Sequence, residues 1–300
     1  MIPRLDMSRL LAGDPAEIEE LRRGAGEVGF LTVHNTTLSA ADVQGVIGAY
    51  RAFFHQDAAV KAAVDMARTG SNRGWGAPQS EQVDPEANPD YKEVFDCGFE
   101  LPAGDPWSEL SVYALNLWPQ LPGFGETVRG YYRAATGVAM DLLRCIAGAI
   151  GEDPAYFDDK FDRPMALLRG NFYPERPDWA GDRDFGIAAH TDYGCLTLLA
   201  SDGVPGLEVQ GRDGTWIPVT AGPGEFVINF GEMLEMWTGG RVRATLHRVK
   251  GSSEERISVP LFFNPNHDAN VAPEGQGEIL AGAHLAKRFN ETYLHLKDKS

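Results

Sequence analysis

A mainly β fold with flanking helices, an α+β arrangement, is what this sequence predicts, on three observations. From about Pro164 onward come eight short apolar or alternating runs: ALLRGNFY, GIAAH, CLTLLAS, LEVQ, TWIPV, EFVINF, ATLHRV and ISVPLFF. Turn signals separate them, at Asp202-Gly203, Gly211 to Gly214, Gly222-Pro223-Gly224, Gly239-Gly240 and Gly251-Ser252. Many short strands at close, even spacing point to a sandwich or barrel. The stretch before them carries helical periodicity instead, so helices pack around a β core.

The elements follow in order. Asp14 before Pro15 is an N-cap with proline in the first helical position, and Ile18, Leu21, Ala25 and Val28 continue an apolar stripe. Ser39 opens a second helix with Val43, Val46, Ile47, Tyr50 and Phe54 on one side. Thr69 to Pro106 is rich in Gly, Pro, Asn and Asp and reads as loops with short strands. Phe124 to Ile150 fits one long helix, stopped by Gly151. After the eight strands, Leu285 to Leu296 reads as an amphipathic C-terminal helix. Without repeats or a clear linker, residues 1–300 are expected to form one domain. Its parts are a mostly helical region over 1–160, the β core over 161–280 and a terminal helix over 281–300.

Composition excludes several function classes. With 27 basic against 43 acidic residues the net charge is −16, a field that repels phosphate backbones and anionic membranes. Nucleic-acid binding and membrane attachment are therefore not expected. Three scattered cysteines, Cys97, Cys145 and Cys195, suit neither a disulfide framework nor a cysteine zinc site. The opening MIPRLDMSRLLAG has no apolar stretch behind a basic one, and no apolar run is long enough for a bilayer. A cytoplasmic protein is expected. The self-repelling surface and the lack of heptads favour a monomer.

The chemistry concentrates in the β half. His190 and Asp192 form an H-x-D pair in AAHTDYGCLTLL, and His247 lies 55 residues beyond Asp192 in ATLHRV. Two imidazoles and one carboxylate are the facial triad of non-haem Fe(II) oxygenases, which leaves the opposite face of the metal open. At a strand end, residues two apart point the same way, so His190 and Asp192 reach one ion and a neighbouring strand brings the third ligand. His55 and Asp57, also H-x-D, sit in YRAFFHQDAAVKAAV, which reads as helix. There they diverge by about 200°, so they form an ordinary helix face. H-x-D alone is thus a weak signal; a core histidine beside a turn aspartate is the plain alternative. Further on, Arg256 and Ser258 share a strand face, and a guanidinium with a hydroxyl can hold one carboxylate. A surface ion pair is the plain reading of a lone strand arginine. Arg169, Asn171 and Tyr173 alternate in LLRGNFYP; facing inward they need partners, such as a bound oxyacid, and facing outward they meet water.

The order R-x-N-x-Y, HTDYGCLTLL, VINFGEMLEMWTGG, ATLHRV and R-I-S resembles the isopenicillin N synthase-like group of 2-oxoglutarate/Fe(II) dioxygenases. IPRLDMSRL, KEVFDCGFE and NLWPQLPGF extend the resemblance over nearly the whole chain. It implies a double-stranded β-helix (a jelly roll, cupin-like), with His190, Asp192 and His247 as iron ligands. It makes Arg256 and Ser258 the clamp for the distal carboxylate of 2-oxoglutarate, helped by Tyr173, with Asn171 facing the co-substrate or substrate. Fe(II), 2-oxoglutarate and O2 are the implied reactants, with ascorbate an optional reductant. A small organic substrate would be oxidised at a C–H bond while 2-oxoglutarate is decarboxylated. Two departures stand out: Glu232 where the family more often has Asp, and Gly170 where it usually has an apolar residue, which suggests a strand bulge.

Competing readings remain open at this point. The same fold can act without 2-oxoglutarate, as an oxidase or cyclase. A non-catalytic jelly roll that binds a small acid would have lost a ligand or the clamp arginine, and this chain keeps all of them. A zinc hydrolase could use two histidines and an aspartate but has no need of the R-x-S pair. Phe262, Trp237 and Tyr193 are candidate pocket aromatics, with core packing the plain alternative. Substrate choice would fall to residues from Arg73 to Glu100 and to the loop after Asp192. Arg73 and Lys92 could serve an acidic substrate, although they read more simply as surface charges.

Overall fold

The structure, a computed structural model, describes residues 1–68, 70–78, 80, 92–176 and 186–292. The N-terminal half runs β1 (Arg4–Asp6), α1 (Met7–Leu11), α2 (Pro15–Arg23), β2 (Phe30–His34), α3 (Ala40–Phe54), α4 (Ala58–Ala62), β3 (Gly74–Gly76), β4 (Glu93–Gly98) and α5 (Phe124–Ala149). All eight expected strands follow, as β5 (Leu167–Tyr173), β6 (Ile187–His190), β7 (Leu196–Ser201), β8 (Leu207–Gln210), β9 (Trp216–Pro218), β10 (Phe226–Phe230), β11 (His247–Val249) and β12 (Arg256–Phe263). Helix α6 (Glu232–Trp237) follows β10, and α7 (Ala281–Thr292) closes the described chain.

Among the described residues the strands form two sheets. The larger has the order β1-β2-β10-β7-β12-β5-β4-β3, and the smaller β6-β11-β8-β9. They face each other as a jelly roll: Tyr173 and Val227 of the large sheet share an apolar cluster with Leu207, Val209 and Val249 of the small one. The N-terminal half carries α1 to α5 and also supplies four strands of the large sheet.

Period-two alternation decides which side chains reach the interior. In β12, Ile257, Val259, Leu261 and Phe263 join the main core with α3 and α5, whereas Arg256, Ser258, Pro260 and Phe262 line a cavity between the sheets. β5 divides the same way: Leu168 faces the helices, and Arg169, Asn171 and Tyr173 face the cavity. Each fully buried Leu, Ile or Phe on the helix side stabilises by roughly 1.5–3 kcal/mol relative to exposure. That apolar face anchors the sheet and leaves the other face free to carry polar groups.

Local signals explain the helices. The Asp14 side chain accepts from the backbone N–H of Ala16 and Glu17, and Ser39 with Asp42 makes a complete capping box. Gly151 adopts φ 88° just past α5, a left-handed stop that suits glycine. Two expectations need correction. His55 and Asp57 do not lie within one helix: α3 ends at Phe54, and His55 Nε2 instead pairs with Glu255 at 2.9 Å. Gly170 makes no bulge; its register with β4 and β12 is unbroken. A Cβ there would sit 2.2 Å from the Tyr50 ring, so the small residue admits an aromatic plate from α3. Helix α7 begins at Ala281, one turn before the amphipathic stripe that opens at Leu285; the expected end at Leu296, like residues 81–91 of the expected loop region, lies outside the described residues.

Candidate metal centre and carboxylate clamp

The ladder between β6 and β11 sets His190 directly opposite His247, with ring centroids 4.4 Å apart. Asp192 lies just beyond β6, in a turn rather than on the strand. Its Oδ1 is 3.8 Å from His190 Nε2 and 3.7 Å from His247 Nε2. One ligand atom from each residue falls within 4.8 Å of the others. The start of α6 aims the turn: the N–H of Glu232 donates to the Asp192 carbonyl at 2.8 Å, and that of Met233 to the Gly194 carbonyl at 3.1 Å. Gly231 permits this approach, since a Cβ would lie 2.2 Å from the Gly194 oxygen. The pairing expected from strand geometry is present, but the turn produces it.

The second polar atom of each group is already occupied. His190 Nδ1 lies 2.8 Å from the Ala188 carbonyl and His247 Nδ1 3.1 Å from the Thr245 carbonyl. A carbonyl only accepts, so each Nδ1 carries the proton and each Nε2 keeps its lone pair. Burial and the neighbouring His247 push the His190 imidazole down to about 4, against the pull of Asp192. Burial alone would raise the Asp192 carboxyl. The two imidazoles, with hydrogen bonds from Thr197 Oγ1 at 2.5 Å and Asn229 Nδ2 at 2.6 Å to Oδ2, hold it below the usual range. Two neutral imidazoles and a carboxylate oxygen, each oriented by a fixed partner, suit a divalent iron.

Across the cavity, β5 and β12 bring the remaining expected residues together, with Arg256 opposite Tyr173 and Ser258 opposite Asn171. All four are buried. Arg256 Nε donates to the Val204 carbonyl at 3.1 Å, and its guanidinium lies 5.0 Å from the centre of the Tyr173 ring. Arg256 Nη1 is buried without a hydrogen-bond partner. Asn171 Nδ2 donates to Ser258 Oγ at 3.3 Å, and Asn171 Oδ1 has no partner. An unsatisfied buried guanidinium nitrogen is costly, and a ligand carboxylate would satisfy it.

The cavity, about 240 Å³, also takes Arg73, Lys92, Phe262, Tyr193 and Leu285 into its wall. Arg73 and Lys92 are only 2% and 3% exposed, so they are not surface charges. Arg73 donates to the carbonyls of Asn72 and Val112. Arg169 makes a two-pronged ion pair with fully buried Asp96, at 2.8 and 2.6 Å, which accounts for an inward arginine without a ligand. Trp237 lies in the core against Phe157, away from the cavity. Sequence reasoning passed over Thr197 and Asn229. The signal was present: Asn229 is the one polar residue of β10, and Thr197 interrupts the apolar start of β7, both on the side that lines the cavity.

Two facing sheets, a two-imidazole, one-carboxylate cluster and a buried arginine nitrogen without a partner define a non-haem metal oxygenase of the keto-acid type. Comparison with known proteins agrees. Residues 164–265 match the 2OG-Fe(II) oxygenase superfamily, and residues 2–121 match a family described as non-haem dioxygenase in morphine synthesis N-terminal. The chain is 30% identical to the 2-oxoglutarate-dependent dioxygenase citB of Monascus ruber, over 97% of this chain and 95% of that protein. It is 32% identical to a homoarginine-6-hydroxylase of Glycine max, over 91% and 88%. The crystal structure of a full-length Neurospora crassa protein in complex with alpha-KG superposes with a TM-score of 0.86 at 28% identity, covering 97% of this chain and 96% of that one. The chain belongs to the 2OG-Fe(II) oxygenase superfamily. It is a 2-oxoglutarate-dependent dioxygenase, an oxidoreductase that uses Fe(II) and 2-oxoglutarate.

Proposed function

We propose that His190, Asp192 and His247 hold the iron, and that Arg256 and Ser258 clamp the distal carboxylate of 2-oxoglutarate. Tyr173 packs beneath that arginine, and Asn171 faces the bound acid or the substrate. The observation that carries the clamp is Arg256 Nη1, buried without a partner on the cavity wall. Iron and 2-oxoglutarate, when bound, supply the activation of O2 that oxidises the keto acid to succinate and CO2 and the substrate at a C–H bond. The chain orients and encloses them. Fixed Nδ1–H bonds present the two Nε2 lone pairs, Asn229 and Thr197 aim Oδ1 of Asp192, and the cavity wall excludes bulk water.

The substrate is a small organic molecule, in keeping with the cavity of about 240 Å³. Residues from the segment before β4 and from α7 line part of its wall and would select it. Strands from both halves of the chain in one sheet support a single domain. The net charge of −16 supports a monomer, and three free cysteines suit a reducing compartment such as the cytoplasm. No helix among the described residues is long and apolar enough to cross a membrane. The test is succinate formation from Fe(II), 2-oxoglutarate and O2. The reading expects slow release by the parent, loss in His190→Ala and weakening in Arg256→Ala. Parent-like release by both variants would defeat it.

A further inference from the structure

The Glu232 carboxylate divides its two oxygens between distant elements. Oε1 accepts from Thr191 Oγ1 at 2.5 Å, between His190 and Asp192 in sequence. Oε2 takes an ion pair from Arg288, on α7. The backbone N–H of Glu232 meanwhile donates to the Asp192 carbonyl. A shorter aspartate would reach one side or the other; the extra methylene of glutamate spans both.

α7 grips the same turn at two further points. His284 Nε2 lies 3.3 Å from the Tyr193 carbonyl, and the Arg288 guanidinium stacks 4.8 Å from the Tyr193 ring centre. The helix also walls the cavity, through Leu285 and Ala286. One helix thus forms part of the substrate chamber and holds the turn that carries Asp192. Glu232 is the joint, partly buried, where a charge-assisted bond is stronger than at an open surface.

We propose that Glu232 is a positioning residue that locks the turn 190–193 to α7, so that the seating of the helix and the geometry of the metal ligands are set together. This rests on the reading of His190, Asp192 and His247 as iron ligands. A contact that is better made in the metal-bound state couples the two sites, and the coupling is reciprocal.

The test is an anaerobic Fe(II) titration of the full chain with 2-oxoglutarate present, followed by the absorption of the iron–keto acid chelate, well below the melting temperature. The variants are Glu232→Gln, Arg288→Gln and Arg288→Lys, with Asp192→Ala as the control for the ligand reading. Glu232→Gln and Arg288→Gln are expected to weaken Fe(II) binding about threefold to tenfold. That is less than the roughly 10- to 100-fold typical of groups bonded directly to a ligand. Combining them should add little, and Arg288→Lys should recover most of the loss. Arg288 lies on a half-exposed helix face, so its variants test the proposal even if Glu232→Gln does not fold. Unchanged affinity and chelate absorption in the Arg288 variants would overturn it, even if melting temperatures fell. Parent-like Fe(II) binding by Asp192→Ala would instead mean that the ligand assignment had failed.

Discussion

At the scale of single residues, the site depends on groups that hold the ligands as much as on the ligands. Asp192 could turn either oxygen toward a metal, but Thr197 and Asn229 occupy Oδ2 and leave Oδ1 facing the two imidazoles. Asn229→Leu keeps the side-chain volume and removes that donor. It is expected to weaken Fe(II) binding about 10- to 100-fold, read by anaerobic titration, with the fold intact by circular dichroism. Affinity within twofold of the parent would show that Asn229 does not orient the carboxylate. The ligand residues themselves were legible because their types and order are rare in combination. Their helpers were not picked out, although Asn229 in FVINF and Thr197 in CLTLLAS broke an apolar pattern on its inward phase. Glu232 was noticed only as a departure; its partners, 41 and 56 residues away, are fixed by tertiary structure.

At the scale of elements, period-two alternation carried most of the information. All eight strands of the C-terminal half were readable, because each is a short apolar or alternating run closed by a turn signal. β1 and β3 are three residues each and form the two edges of the large sheet, so local pattern is thin there. Gly170 shows where pattern reasoning divides. Glycine inside a strand marks either a bulge or a close approach, and only the position of Tyr50 selects the second. Gly170→Ala would set a methyl against that ring, 2.2 Å from its nearest carbon. The expected cost is about 1–3 kcal/mol of overpacking, measured by urea unfolding, with Fe(II) affinity little changed. A neutral substitution would mean that Tyr50 moves aside freely.

At the scale of the whole molecule, two halves of different character build one chamber. Helices α3 and α5 cover the outer face of the large sheet, the small sheet closes its inner face, and the cavity lies between. The buried pair Asp96–Arg169 ties β4, from the N-terminal half, to β5 beside the cavity. Removing the carboxylate charge takes a two-pronged charged acceptor away from the Arg169 guanidinium. Asp96→Asn is therefore expected to cost about 1.5–3 kcal/mol, the worth of a buried hydrogen bond to a charged group, again by urea unfolding; a loss below about 0.5 kcal/mol would make the pair dispensable. The jelly roll was legible through family resemblance, since periodicity alone gave only a sandwich or barrel. The burial of Arg73 and Lys92 was not legible, because charge in a loop-like sequence looks the same whether it faces water or a chamber. The most direct test of the whole reading is anaerobic binding of 2-oxoglutarate to the Fe(II)-loaded protein, followed by the visible absorption of the chelate. The parent should develop the band, His190→Ala should not, and Arg256→Ala should need about 10- to 100-fold more 2-oxoglutarate, the worth of a buried hydrogen bond to a charged group. A band of unchanged midpoint in Arg256→Ala would contradict the clamp, and an unchanged band in His190→Ala would contradict the metal site.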